Sequence, residues 1–245
     1  MTATATGSAV LGYTLRACIP VRRWWTLALP CAAAVLFGLL SRLGDRPADQ
    51  AFAVTAGAGL FSLIIPIACL VIGDAVLGAE MRSGTFHFTW LSPAPVRTIV
   101  VGRWLGGWLV ALVTLVPAMA LAAIVAGSPG SVPAMAIATA AGSAAYVALF
   151  VFIGCAVRRA AVWSLVIVFL VERLLGSPLS GIAQLSPMWE GRAVFAGLAP
   201  GAEDLLRDGV PDGWAAVVRL TIITVVMLAL ASWRLRHLRL TGATD

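Results

Sequence analysis

The chain has 245 residues, 60% hydrophobic and 11% charged, with a mean hydropathy of +0.97 and a formal net charge of +6. Water-soluble domains carry roughly a quarter charged residues, so too few polar side chains are present to coat a soluble particle, and the apolar mass must face lipid or other apolar helices. The basic balance does not point to nucleic acid, because the arginines are spread over several short segments beside apolar spans rather than gathered on a soluble surface.

The chain opens on a polar arm. Residues 9–23 mix Val10, Tyr13, Leu15 and Ile19 with Arg16, Arg22 and Arg23, a pattern that suits a helix lying in the membrane interface. The apolar stretch that follows is longer than the core of a signal peptide, so the arm is expected to stay attached. Apolar windows, free of charge except for Arg219 in the last, then recur at residues 24–40, 52–72, 104–126, 133–157, 160–171 and 214–233, most of them close to the length of about 20 residues that crosses the hydrocarbon core. The fifth is the shortest. The fold expected is an all-α polytopic membrane protein with six transmembrane helices, preceded by an interfacial helix. Its organisation is an arm over 1–23, a six-helix domain over 24–240 and a tail over 241–245.

Orientation follows from the 17 basic residues, all of them arginine. Eleven fall in the arm, the second and fourth connections and the C-terminus, and five in the alternate connections. Arginine near span ends is retained on the cytoplasmic side, so both termini are expected there. Arg219, five residues into the sixth window, is expected to snorkel to the outer headgroups, and Glu172 with Arg173 to form a pair at an outer span end. Pro66 and Pro117 are candidate kinks. The small-residue run over 134–148 permits close helix packing.

The connection over 177–213 is too polar to span and too long for a bare turn. Apolar spacing over 190–198 and 202–208 suggests short interfacial or re-entrant helices on the outer side. The four cysteines stand singly and the two histidines, His87 and His237, lie far apart, so neither a disulfide framework nor a metal site is expected.

The segment over 74–98 is organised unlike a loop. An acidic helix end bearing Asp74 and Glu80 meets a Gly84-Thr85 break, with Arg82 just before it. A short aromatic stretch of Phe86, His87, Phe88, Trp90 and Leu91 follows, then Ser92-Pro93 and Pro95. A helix of one and a half turns is unstable alone, and one this apolar will not stay in water, so its aromatics are expected to pack on neighbouring helix ends or the membrane interface and to fill a groove on a partner, the alternative being an interfacial anchor with no partner. The prolines stop it from running on. Glu80 is expected to tie helix ends together.

Glu80, Gly84-Thr85, Ser92-Pro93 and Gly102-Arg103, in that order and between the second and third spans, resemble the intracellular coupling segment of ABC-2 type transporter permeases. His87 stands where that family commonly has an acidic residue, and Thr89-Trp90 where it has leucines. The resemblance implies a bacterial plasma-membrane permease subunit that begins with an elbow helix and forms half of a translocation pathway with a second, identical or related subunit. It also implies small helices between spans five and six on the outer side. The ATPase would be a separate cytosolic chain that binds ATP and Mg; this chain, with no lysine, has none to offer a phosphate-binding loop of the Walker A type. Residues 80, 82, 84–88 and 90–93 are then the ATPase-coupling candidates. The chain itself is expected to hold no cofactor and not to be an enzyme. The cargo implied by mostly apolar and small span residues, and by family habit, is a hydrophobic or amphipathic molecule moved outward. A secondary transporter or a non-transporting membrane scaffold subunit remains the alternative.

Overall fold

The computed structural model describes residues 3–18, 25–78, 80, 95–157, 159–176, 180–206 and 210–237. Every regular element among them is helical, with no strand. In chain order the longer ones are α1 (Ala3–Cys18), α2 (Trp25–Leu40) prolonged by a 3-10 turn at Ser41–Leu43, α3 (Ala48–Leu77), α4 (Val96–Ala126), α5 (Val132–Ala156), α6 over 160–175, α7 (Pro187–Leu198) and α8 (Gly213–Arg236). The helices α3, α4, α5 and α8 are long and apolar enough to cross a membrane, and α2 is a shorter apolar helix.

The boundaries have local causes. Pro95, in an extended conformation, starts α4 where its missing N–H is not needed. Gly127 ends that helix in the left-handed region at φ +84, its N–H returning to the carbonyls of Ala123 and Ile124, a conformation glycine adopts without steric cost. Pro133 stands in the first turn of α5. Between them, Ser128 hydroxyl donates to Asp49 at 2.5 Å and tightens the α4–α5 turn onto the start of α3. Pro66 and Pro117 both lie inside helical runs; Pro66 follows a stretch of α3 at Ala56–Ile64 that is wound as a π-helix, where the ordinary backbone register is already relaxed.

Helix α5 is the centre. It packs against α3, α4, α7 and α8 and contacts α6. Its Ala, Gly and Ser content lets neighbours approach, as the small-residue run suggests: the indoles of Trp104 and Trp108 on α4 each donate to an α5 carbonyl, Ala144 and Ala140, at 3.0 Å. Helices α2 and α4 approach more closely still, since a Cβ added at Gly38 would lie 2.4 Å from the Ala122 carbonyl oxygen.

The outer face of α8 carries Trp214, Val218, Ile222, Val226, Leu230 and Trp233, all exposed. These recur every three to four residues on one face and span 20 residues, or about 28 Å of rise, bounded by a tryptophan at each end. That matches the hydrocarbon thickness of about 30 Å and its aromatic belts. The structure therefore has the size and surface of a membrane-embedded helical bundle.

Candidate functional site

The segment singled out by sequence enters the described structure at its base. Of the coupling candidates, Glu80 is described; Arg82, Gly84, Thr85, Phe86, His87, Phe88, Trp90, Leu91, Ser92 and Pro93 lie outside the described residues.

Glu80 follows the end of α3, and Arg103 is the eighth residue of α4. They meet in a bidentate pair, Nη1 donating to Oε1 at 2.7 Å and Nη2 to Oε2 at 2.8 Å, while Nη1 also donates to the Val76 carbonyl at 2.9 Å. Arg103 is 1% exposed and Glu80 9%. Parallel N–H···O bonds of this kind fix angle as well as distance, so the end of α3 and the second turn of α4 are held as one unit.

A third element closes the cluster. The guanidinium of Arg103 lies 4.7 Å from the centre of the Tyr13 ring on α1, a cation–π contact worth about 0.5–2 kcal/mol. Burial first, and then hydrogen bonding to the Glu80 carboxylate, hold the Tyr13 hydroxyl above its usual range, so at neutral pH it remains a neutral donor. The approach of α1 depends on Gly102 and Gly106, four residues apart on α4: a Cβ at the first would lie 2.9 Å from a Val10 methyl, and at the second 2.8 Å from Thr14 Cβ. Thr14 is fully buried there, its hydroxyl returned to the Val10 carbonyl at 2.8 Å.

Charge counting places Arg103 in a cytoplasmic connection, but α4 starts at Val96 and takes it inside. The helix tolerates the charge because a carboxylate meets it.

A second polar cluster lies deeper and differs from expectation. Glu172 is not paired with Arg173 at a span end: it is 2% exposed, while Arg173 is exposed. Its carboxylate accepts from the Tyr146 hydroxyl at 2.6 Å and the Ser186 hydroxyl at 2.9 Å. Tyr146 stands ten residues before the end of α5, about 15 Å along a helix of about 37 Å, so Glu172 reaches the middle of the bundle. There α6 stops, and after a single helical turn at Ser180–Ala183 Ser186 opens α7 as its N-cap, accepting from the Trp189 N–H at 3.4 Å with Pro187 in the first turn. The indole of Trp189 donates back to the Glu172 carbonyl at 3.1 Å.

From that break α7 runs antiparallel to α8 to the far end of the bundle. A Cβ at Gly197 would sit 2.3 Å from the Gly213 nitrogen. Glu190 of α7, fully buried, is 3.6 Å from Arg219 of α8, so Arg219 pairs with a carboxylate in place of the expected snorkelling alone. Arg192, beside it in sequence, stacks at 4.6 Å on the Trp189 ring. The stretch from 202 is shorter than expected, a 3-10 turn at Glu203–Leu205, with 207–209 outside the described residues. Sequence carried one signal of the Glu172 site that went unread: a lone tyrosine in a run of small and apolar residues, 26 positions from a lone glutamate in another.

Among the described residues no group of three or more His, Cys, Asp or Glu is placed to hold a metal ion. Compared with known proteins, the chain matches no protein-family model and no curated protein.

Proposed function

We propose that the chain is the permease subunit of an ABC-2 type ATP-driven transporter, forming half of a translocation pathway with a second copy or a related subunit. A separate cytosolic ATPase binds ATP and Mg and docks on segment 81–94. In this reading α2, α3, α4, α5, the broken pair α6 and α7, and α8 make six crossings of a bacterial plasma membrane. Helix α1 is the elbow, and both termini are cytoplasmic. The cargo is hydrophobic or amphipathic and moves outward.

The observation that supports this reading most is the clasp of Glu80, Arg103 and Tyr13. It closes the base of the very segment whose motif resembles the coupling region. A force applied to a segment hinged on two independent helices would be dissipated in either one. With its roots clasped, displacement by a docked partner reaches α3, α4 and α1 together, and rigid-body movement of packed helices is how a central path alternates its opening.

One experiment with two arms tests it. Cysteines placed at Ala94 and Thr241 in a cysteine-free background are expected to react from the cytoplasm, and one at Asp208 from outside; labelling of residue 94 from outside removes the docking segment from its partner. Phe88→Ala or Trp90→Ala is then expected to weaken ATPase pull-down by about 2 kcal/mol each, the scale of a buried aromatic anchor. Gly84→Val should leave docking intact and uncouple hydrolysis from transport. Wild-type behaviour of all three variants in both pull-down and hydrolysis would reduce the segment to an interfacial anchor.

One observation favours the alternative of a secondary transporter. Glu172 and Glu190 are carboxylates buried inside the bundle, the type of residue that carries ions through membranes. Glu172, however, has both oxygens accepting hydroxyls that fix the α6–α7 break, which suits a structural tie better than a carrier that must load and release.

A further inference from the structure

The first turn of α4 and the last turns of α8 lie side by side and leave an open groove of about 400 Å³ between them. Arg97 and Val101 line it from α4, one turn apart, and Leu228, Ala229, Ser232, Trp233 and Arg236 line it from α8, the Ser232 hydroxyl being turned back to the Leu228 carbonyl. The groove is thus mostly apolar along its length and doubly cationic at its mouth. Arg97 differs from its neighbour Arg103 in this respect: Arg103 turns inward to Glu80, whereas among the described residues no carboxylate lies within ion-pair distance of Arg97 or Arg236.

We infer that this groove binds one anionic phospholipid, its phosphate held between Arg97 and Arg236 and its acyl chain laid along Val101, Leu228 and Ala229. Two features select a lipid over other occupants. Trp233 ends the apolar stripe of α8, and Arg236 stands one turn beyond it, the depth at which lipid phosphates meet a membrane helix. The apolar floor is also continuous with that stripe, so a chain entering from the bilayer never crosses water, whereas a free anion would have no use for it. The inference rests on the chain being membrane-embedded and is independent of whether it transports.

The test is native mass spectrometry of the full chain in detergent, titrated with phosphatidylglycerol and with phosphatidylcholine of the same acyl composition. The wild-type chain is expected to retain one phosphatidylglycerol with at least about tenfold preference, the scale of losing a charged hydrogen bond. R97Q/R236Q should bring the preference to within about twofold. A229F keeps both charges but fills the groove, and should lose the retained lipid equally; it is the deciding variant if the charge variant does not fold. R16Q, an exposed arginine elsewhere, should change nothing. A preference that survives in A229F or in folded R97Q/R236Q, or falls as far in R16Q, overturns the inference. So does displacement of the lipid by millimolar inorganic phosphate, which would reveal a headgroup-only anion site.

Discussion

Replacing Glu80 with alanine is expected to destabilise the protein by about 3–5 kcal/mol, because it leaves the buried Arg103 charge without its carboxylate. The Val76 carbonyl and the Tyr13 ring still touch the guanidinium, but neither supplies the opposite charge that the carboxylate did. Thermal unfolding in detergent reads the loss. Removing both charges, as in E80L/R103L, is expected to return stability to within about 1 kcal/mol of wild type, since an apolar pair replaces a buried ion pair at little or no net cost. The two variants separate structure from coupling: under the proposed function, the double variant should insert, fold and bind the separate ATPase, whose hydrolysis should then show no stimulation by cargo. A double variant as unstable as E80A would mean that the pair's geometry, and not its charge balance, holds α3 to α4. One with intact cargo-stimulated hydrolysis would mean that the clasp plays no part in coupling.

Glu172→Leu is the second large effect. It strands the Tyr146 and Ser186 hydroxyls, each a buried polar group whose lost partner costs about 1–3 kcal/mol, for a total of about 2–6 kcal/mol. The damage should concentrate at the α6–α7 break, visible as faster backbone hydrogen exchange over 176–190 than in α4 or α5. Glu172→Gln retains an acceptor oxygen and should cost about 1 kcal/mol. Equal stability of E172L and wild type would show that the break is held by packing alone.

These two sites also mark where sequence reading succeeds and where it stops. The long apolar helices were legible, because their windows exceed the length that crosses a membrane and they end at Pro95, Gly127 and Pro133 for local reasons. Glu80 was legible as a tie between helix ends, but its partner was not. Treating every charge as the end of a span set the start of the third helix at residue 104, when α4 begins at Val96, and so put Arg103 in a connection. The same logic put Glu172 at an outer end. A charge terminates a span only if nothing inside satisfies it, and satisfaction is a tertiary property: Arg103 finds Glu80 23 residues away, Glu172 finds Tyr146 26 residues away. Apolar spacing over 190–198 gave the helix α7 but not its depth in the bundle. Depth came from Ser186 reaching Glu172 and Gly197 reaching Gly213.

The most direct measurement of the central claim is the energy source of transport. The chain, purified from its native membrane with whatever subunits accompany it and reconstituted into liposomes, is expected to accumulate an amphipathic fluorescent probe on addition of Mg-ATP, to stop when ATP is replaced by a non-hydrolysable analogue, and to be inactive as the isolated chain. Probe movement by the isolated chain, driven by an imposed proton or sodium gradient with no nucleotide present, would contradict it and move the function to Glu172 and Glu190.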